Sequence, residues 1–245
     1  MNYLNKITAA LYGLATLLTA VGLAWLLLMK CDYLYGVWHD HGGIAEAIEK
    51  FGPQNRYRKG FENTTKEQRV VLFAQIAESV HHNGEGLEKI FYTTPDNSLG
   101  TPLLQQSEIT HLKDVAKLIS YLSQGFILVF FIWLVFTVVS LFRKKVLPKI
   151  AAQLTGFSIL FGLGAIVILM SGWENVFNQL HIWIFPAEHQ WFFYYQDSLM
   201  STMMWAPHLF TYIGISWLLL TILFFVLLLL SQRYLNTRIL KRPKN

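Results

Sequence analysis

The chain has few charged residues and a single cysteine, and both shortages exclude classes of protein. Only 14% of its 245 residues are charged and 53% are hydrophobic, and its mean hydropathy is +0.37. An ordinary soluble domain carries about 25% charged residues, so this composition indicates a membrane protein. The lone Cys31 cannot form an internal disulfide, which excludes thiol oxidases because their chemistry requires cysteine pairs.

The motifs of several well-known enzyme classes are also missing. The sequence contains no G-x-S-x-G elbow, no H-E-x-x-H pair and no P-loop. Serine-nucleophile and gluzincin-type chemistry are therefore unsupported, and neither a nucleotide nor a cofactor is expected. The sequence pI of about 9.2 reflects membrane topology and attraction to anionic lipid, so it predicts no nucleic-acid partner.

What the chain has in abundance is long apolar runs. Four of them are long enough to cross a hydrocarbon core of about 30 Å, which takes roughly 20 helical residues. They predict transmembrane helices at residues 7–29, 119–142, 150–170 and 212–230. The first run is long for a signal peptide and no cleavage site follows it, so we expect it to remain as an anchor. The predicted fold is a single all-α integral membrane domain over residues 1–245.

Positive charge predicts the orientation of these helices, because Lys and Arg accumulate on the cytoplasmic side of short loops. Segments 1–6, 143–149 and 231–245 are therefore predicted to be cytoplasmic, together with both termini. Residues 30–118 and 171–211 are then extracytoplasmic. The cytoplasmic segments contain none of the 15 acidic residues, and their basic residues are Lys6, Arg143, Lys144, Lys145, Lys149, Arg233, Arg238, Lys241, Arg242 and Lys244.

All eight histidines fall in the two extracytoplasmic segments, which a simple membrane anchor would not require. In the first segment, apolar spacing predicts helices over residues 32–51 and 65–82, the second opened by Thr65 and Gln68 in capping-box spacing. Prolines and a glycine then predict a loop over residues 95–102.

The second extracytoplasmic segment is rich in aromatic residues. It contains no Lys or Arg, and five successive aromatic residues run from Trp191 to Tyr195. Aromatic rings with polar tips settle at the boundary between lipid and water. We therefore expect this segment to lie half-buried in the outer headgroup layer.

The stretch "SEITHLKDV" places ionisable groups where the second predicted span begins. Ser107 is expected to cap the helix, and Glu108, His111 and Asp114 then lie three residues apart on nearly one face. A carboxylate at that spacing can fix the tautomer of an imidazole and raise its basicity. The alternative is an ordinary solvated helix face, but ionisable groups at the membrane border favour a functional site.

His181 lies within the aromatic segment and is the second candidate. It is either a satisfied interfacial histidine or a partner for His111. If the two extracytoplasmic segments fold against each other, the two histidines supply the acid and the base that acyl transfer needs.

The remaining histidine clusters suggest a metal site more weakly. Adjacent histidines such as His39 and His41, or His81 and His82, converge poorly on one ion, and no complete ligand set has characteristic spacing. A solvated face is the favoured interpretation, and no metal site is predicted.

"SEITHLKDVAKLI" resembles a Ser-x-Glu-Ile-x-His-Met-x-Asp-Val block, with Leu112 in place of methionine. "LHIWIFPAEHQWFFYYQDSLM", followed by "WAPHLF", resembles a His-x-x-x-Phe, Trp-x-Phe, Asp-x-Leu and Pro-x-x-Phe block. In these two blocks the chain resembles a bacterial four-span membrane family that includes the lipoprotein intramolecular transacylases. By position, the residues that match these motifs are His111, Asp114, His181, Phe185, Trp191, Asp197 and Pro207.

The resemblance implies a membrane acyltransferase that moves the sn-2 acyl chain of a diacylglyceryl-cysteine lipoprotein onto that cysteine's α-amine. It implies a lipoprotein N-terminus and membrane lipid as partners, and a bacterial cytoplasmic membrane with an extracytoplasmic active face. Our hypothesis is that His111, oriented by Asp114 or Glu108, deprotonates the amine while His181 assists the leaving oxygen, with the two histidine roles exchangeable. The residues expected to contact substrate are Trp191, Phe185, Asp197 and Asn178.

Two other classes stay open at this point, as does the oligomeric state. One is a non-catalytic envelope membrane protein whose aromatic residues are anchors. The other is a metal-binding membrane protein that uses His39, His41, His81 and His82.

Overall fold

The computed structural model describes residues 3–95 and 97–240, so the predicted cytoplasmic residues 1–2 and 241–245 lie outside the described residues. The described chain is predominantly α-helical with one β-hairpin. The elements are α1 (Tyr3–Lys30), α2 (Tyr35–His41), α3 (Ile44–Phe51), α4 (Lys66–His81), β1 (Phe91–Thr94), β2 (Asn97–Pro102), α5 (Gln106–Phe142), α6 (Ile150–Ser171), α7 (Trp173–Ile184), α8 (Leu199–Met204) and α9 (His208–Leu240).

Three helices, α1, α5 and α9, are long and apolar enough to cross a membrane. They contain the predicted spans 7–29, 119–142 and 212–230. In α6 the described apolar stretch, Gly162–Ser171, is shorter, so the span at 150–170 stays a prediction. The architecture is that of an α-helical multi-pass membrane protein, as the composition predicts.

Helix α5 is longer than a membrane crossing requires. Its 37 residues extend over about 55 Å, whereas a hydrocarbon core is about 30 Å thick. All its charged residues lie in the first part, at 106–118, before the predicted span. The candidate residues Glu108, His111 and Asp114 therefore belong to an extension of α5 beyond the apolar stretch.

The chain forms two compact units. The apolar unit comprises the described residues of 3–26, 123–179 and 217–240, and the polar unit comprises 27–122 and 180–216. All the candidate site residues except Asn178 belong to the polar unit.

The apolar unit packs through both apolar contacts and hydrogen bonds between helices. Tyr12 of α1 bonds Thr137 of α5 at 2.9 Å, and Trp133 donates to Thr16 at 3.0 Å. Such bonds complement van der Waals packing between membrane helices, where a hydrophobic driving force is missing. One group of buried apolar residues comprises Leu17, Ala20, Phe225 and Leu229.

The polar unit contains two departures from the sequence predictions. The helix predicted over 32–51 is divided into α2 and α3, because Gly43 takes a left-handed conformation (φ 81°) and a side chain there would approach the ring of Trp205. The loop predicted over 95–102 is wrong, because β1 and β2 pair there as an antiparallel hairpin. Pro95 lies at the turn between the strands, and Gly100 has a φ of 89° within β2.

The predicted N-cap of α4 is confirmed. Thr65 accepts a hydrogen bond from the backbone N–H of Gln68 at 3.2 Å. The Gln68 side chain donates to Thr93 in β1, so it fastens the hairpin to α4.

Buried aromatic residues connect the first predicted extracytoplasmic segment to α8. Tyr35 of α2 stacks on Phe73 of α4 with ring centroids 4.2 Å apart, and both rings are buried. The Tyr35 hydroxyl donates to the carbonyl of Met203 in α8 at 2.9 Å. The two predicted extracytoplasmic segments therefore fold against each other within the polar unit.

Candidate active site

The first turn of α5 fixes the position of the candidate residues. The helix begins at Gln106, so Ser107 lies within the first turn instead of at the N-cap, and the prediction that Ser107 caps the helix is wrong. The backbone N–H of Gln105 donates to a carboxylate oxygen of Glu108 at 2.5 Å. This is the arm of a capping box in which an acidic residue reaches back to the residue before the helix. Glu108 takes over the capping role because its longer side chain can reach that N–H.

The second carboxylate oxygen of Glu108 connects α5 to α8. It accepts hydrogen bonds from the Ser198 hydroxyl at 2.5 Å and from the backbone N–H of Met200 at 3.3 Å. Ser198 in turn caps α8 by accepting from Ser201 N–H. Glu108 is buried, with 1% of its surface exposed, and burial raises the pKa of its carboxyl. Its contacts are with the helix ends rather than with His111.

His111 lies one turn further along α5, in a pocket of aromatic rings. It is 9% exposed, and its ring centroid is 5.0 Å from that of Phe185 and 6.0 Å from that of Phe193. Its Nδ1 is buried and has no hydrogen-bond partner among the described residues. A buried imidazole nitrogen without a partner costs free energy, so the site holds a polar atom ready for a bond to another molecule.

The surroundings of His111 keep its imidazole neutral. Burial and, to a smaller extent, the neighbouring His181 lower its pKa, the charge of Asp114 opposes both effects, and the resulting pKa is about 4. The sequence predicts that a carboxylate raises the basicity of His111, but the effect of burial on the pKa is larger than that of Asp114. At neutral pH the ring has a free lone pair and acts as an acceptor of protons or hydrogen bonds.

His181 comes from α7 and lies beside His111, as the sequence predicts. The two ring centroids are 6.4 Å apart. The ring of His181 also contacts Phe185 at 5.3 Å and Trp191 at 4.9 Å. The predicted residues Phe185 and Trp191 therefore form walls around a histidine pair.

Asp114 binds a histidine that the sequence analysis does not single out. One carboxylate oxygen forms a short hydrogen bond with Nδ1 of His189, and the other lies 3.3 Å from Nζ of Lys117. The Asp114 side chain is 8% exposed and that of His189 is 32% exposed. No motif or spacing in the sequence points to His189, because it lies in the irregular segment between α7 and α8 and meets α5 only through folding.

The other two predicted substrate contacts lie elsewhere. Asp197 forms an ion pair with Arg56 at 3.4 Å, and its backbone carbonyl accepts a hydrogen bond from the Gln105 side chain. These contacts join the aromatic segment to the first predicted extracytoplasmic segment. Asn178 is exposed on α7.

Three of the four histidines that were considered as metal ligands bond to separate partners. His39 is buried between Asp40 and the guanidinium of Arg69, and His81 bonds the hydroxyl of Tyr33. His82 bonds a backbone carbonyl, while His41 is exposed. Among the described residues, no three His, Cys, Asp or Glu side chains are arranged to hold a metal ion.

Comparison with known proteins identifies relatives of this chain. The family model for the lipoprotein intramolecular transacylase Lit matches residues 63–210, which include the histidine pair and both carboxylates of α5. No sequence among the curated proteins matches the chain significantly.

Two solved structures resemble the chain in fold. The in meso structure of the membrane-integral lipoprotein intramolecular transacylase Lit from Bacillus cereus with a histidine-to-arginine mutation has a TM-score of 0.64 and 15% identity, and the match covers 96% of this chain and 93% of that one. A second in meso structure of the same Bacillus cereus protein has a TM-score of 0.63 and 15% identity, with coverage of 97% and 98%.

Proposed function

The chain belongs to the family of the lipoprotein intramolecular transacylase Lit and is thus a transferase, and from this premise we propose the reaction and the residues that carry it. The substrate is the N-terminal diacylglyceryl-cysteine of a bacterial lipoprotein. The sn-2 acyl chain moves from its glycerol oxygen to the α-amine of the same cysteine. The product is an N-acyl lyso-lipoprotein.

The chemistry of this transfer requires little beyond positioning and proton movement. An ester is converted to an amide, which is downhill, so the reaction needs no nucleotide. Both reacting groups belong to one bound molecule, so the enzyme gains rate by holding them in an attack geometry. The amine itself is the nucleophile, which agrees with the missing serine and cysteine motifs.

The observation that carries this proposal is the His111 and His181 pair enclosed by Phe185 and Trp191. One histidine accepts the proton that the attacking nitrogen loses, and the other donates a proton to the departing glycerol oxygen or stabilises the oxyanion. The two roles are exchangeable. A neutral His111 with a buried, unpaired Nδ1 suits proton acceptance or, through its N–H group, stabilisation of the oxyanion.

The carboxylates support the pair from outside it. Asp114 acts on His111 through its charge, and Glu108 acts through the helix ends that it binds. Phe185 and Trp191 present apolar faces to the acyl chain. Asp197 and Arg56 hold the aromatic segment, and Asn178 is retained as a substrate contact.

The topology follows from the charge distribution. The protein is expected in the cytoplasmic membrane with both termini in the cytoplasm, because the basic segments lie between and beyond the apolar helices. The active face is then extracytoplasmic. That side carries the N-terminal cysteines of exported lipoproteins.

The test is mass spectrometry of a reporter lipoprotein's N-terminal lipopeptide, from cells that lack N-acyltransferase activity. Expression of the wild-type protein is expected to convert the diacylglyceryl form to the N-acyl lyso form. His111→Ala is expected to abolish the conversion, whereas the exposed His41→Ala retains it. An unchanged diacylglyceryl peptide, with the wild-type protein verified in the membrane, would contradict the proposed reaction on that client.

A further inference from the structure

The proposed reaction releases one proton to water when it starts from the protonated substrate amine, which gives a role to a proton acceptor that is open to water. An α-amine has a pKa of about 7.7 to 8.0, so near neutrality most substrate carries an ammonium group that cannot attack an ester. The ammonium must lose one proton before attack. A second proton then leaves the nitrogen as the amide forms, and the departing glycerol oxygen gains a proton.

The second proton can stay within the histidine pair, but the first must reach water. Transfer of the acyl group to a neutral amine releases no net proton, because the nitrogen loses one proton and the glycerol oxygen gains one. Starting from the ammonium, one proton is released in each turnover. His111 is only 9% exposed within its aromatic walls, so its position suits transfer inside the site rather than release to solvent.

His189 has the geometry of a proton acceptor that is open to water. A carboxylate can only accept hydrogen bonds, so the contact with Asp114 places the hydrogen of His189 on Nδ1. Nε2 is then the atom with a free lone pair. A carboxylate behind an imidazole fixes the tautomer and stabilises the imidazolium that forms on proton transfer. The side chain of His189 is 32% exposed, which gives the proton a route out.

Residues close to His189 in the chain contact the histidine pair. Phe185, four residues before it, contacts both His111 and His181, and Trp191, two residues after it, contacts His181. Asp114 is one helical turn from His111, a spacing at which side chains are neighbours. His189 is thus connected to the pair from both sides, through its own segment and through α5.

We propose that His189, oriented by Asp114, accepts the proton that the substrate's α-ammonium group loses before it attacks the ester. In this step an N–H bond of the ammonium breaks, its electron pair stays on the nitrogen, and the proton binds Nε2 of His189, which later releases it to water. The inference rests on the proposed function and assigns its first step.

The charges around His189 fit a transient imidazolium. Asp114 supplies a negative charge on one side of the His189 ring, and Glu188 precedes His189 in the chain. Lys117 bonds the far oxygen of Asp114, and His111 and His181 lie on α5 and α7. Lys117 is exposed and screened by water, so the buried carboxylate has the stronger effect on the ring.

The experiment compares the purified wild-type protein with His189→Asn on a synthetic diacylglyceryl-cysteinyl lipopeptide, at pH 6.5 and pH 9. The Asn amide retains a donor for Asp114 but has no basic nitrogen, so it separates a structural role from proton acceptance. At pH 6.5 only about one amine in twenty is neutral, whereas at pH 9 nearly all are. The rate of His189→Asn is expected to be about tenfold below wild type at pH 6.5 and within about twofold at pH 9.

Two variants serve as controls. His41→Asn, at an exposed site on α2, is expected to match wild type at both pH values. His111→Ala is expected to stay inactive at pH 9, because its role does not end when the amine is neutral. Asp114→Asn is expected to lose at least as much activity at pH 6.5 as His189→Asn does, because Asp114 also acts on His111 through its charge, and adding His189→Asn to it should cause no further loss.

Each remaining outcome has one meaning. A His189→Asn rate equal to wild type at both pH values would overturn the inference, as would a defect of equal size at both. In either case the wild-type protein still forms the N-acyl lyso product, so the proposed function stands. Absence of that product with the wild-type protein would instead overturn the proposed function.

Discussion

Glu108 and Asp114 lie three residues before and three residues after His111 on α5, yet the two turns that contain them differ in kind. Every oxygen contact of Glu108 is with a group at a helix end: the Gln105 and Met200 N–H groups and the Ser198 hydroxyl. Asp114 instead contacts two ionisable side chains, His189 and Lys117. Equal spacing from one histidine therefore gives one carboxylate that organises the backbone and one that acts on charges.

The largest effect is expected on activity, from a substitution in the histidine pair. His181→Ala removes one member of the histidine pair and should lower the rate by about 100-fold or more, because general acid–base catalysis contributes roughly 10² to 10⁴. The thermal unfolding midpoint of this variant should differ little from that of wild type, since the His181 ring is only partly buried. The measurement is lipopeptide turnover by mass spectrometry alongside thermal unfolding in one detergent. Activity within threefold of wild type would remove His181 from the chemistry.

Glu108→Ala should act on stability instead. The substitution leaves the Ser198 hydroxyl and two backbone N–H groups unpaired in a buried site, which costs about 3 kcal/mol. The thermal midpoint should fall by roughly 5 to 10 °C. Glu108→Gln keeps one accepting oxygen and should lose about half as much.

The Glu108→Ala variant tests whether Glu108 and Asp114 differ in role. If Glu108→Ala unfolds at the wild-type temperature but has no activity, Glu108 belongs to the chemistry and not to the helix ends. The rate is therefore measured well below the unfolding midpoint, where both proteins are folded.

Acid should expose the burial of His111. The pKa of His111 is about 4 in the folded protein against an ordinary 6.5, so between these values the unfolded chain binds more protons. The free energy of unfolding therefore decreases as the pH falls from 6.5 toward 4, by up to about 3 kcal/mol. His111→Gln cannot titrate and should lose less stability on acidification.

His81 is the matched control for this titration. Partial burial also lowers the pKa of His81, but His81 has a partner in Tyr33, so His81→Gln tests a half-buried histidine outside the pair. Both variants are compared with wild type by thermal unfolding at pH 4.5 and pH 7. An identical loss for wild type and His111→Gln would show that His111 is not held neutral.

The smallest effect is expected at Lys117. Its Nζ lies 3.3 Å from Asp114, but its side chain is 68% exposed, and exposed ion pairs contribute little. Lys117→Ala should change turnover by less than about twofold. A large loss would show that Asp114 depends on Lys117 as well as on His189.

Local sequence signals predicted a substantial part of the molecule. The apolar runs at 7–29, 119–142 and 212–230 lie in long helices, and Thr65 caps α4 through Gln68 N–H. The loop over 95–102 failed because the residues that mark a loop, Pro95 and Gly100, are also compatible with a hairpin turn and an irregular strand. The break after His41 escaped prediction because the Trp205 ring that approaches Gly43 comes from a distant segment.

The candidate site divides in the same way. The resemblance and the helical period selected His111, His181, Phe185 and Trp191, which the fold brings together. Neither signal assigned the partners of the two carboxylates, since His189 and Ser198 lie more than 70 residues along the chain from the first turns of α5. Those pairings depend on how the segment between α7 and α8 folds back.

The sequence by itself determined a helical membrane protein with its histidines outside the apolar runs, because hydropathy and helical spacing are local properties of a chain. Only the tertiary structure decided that Glu108 binds helix ends, that Asp114 binds His189 and that His111 is neutral. Hydrogen-bond partners and burial depend on segments far apart in sequence, and the free energy of a buried charge depends on all of them together.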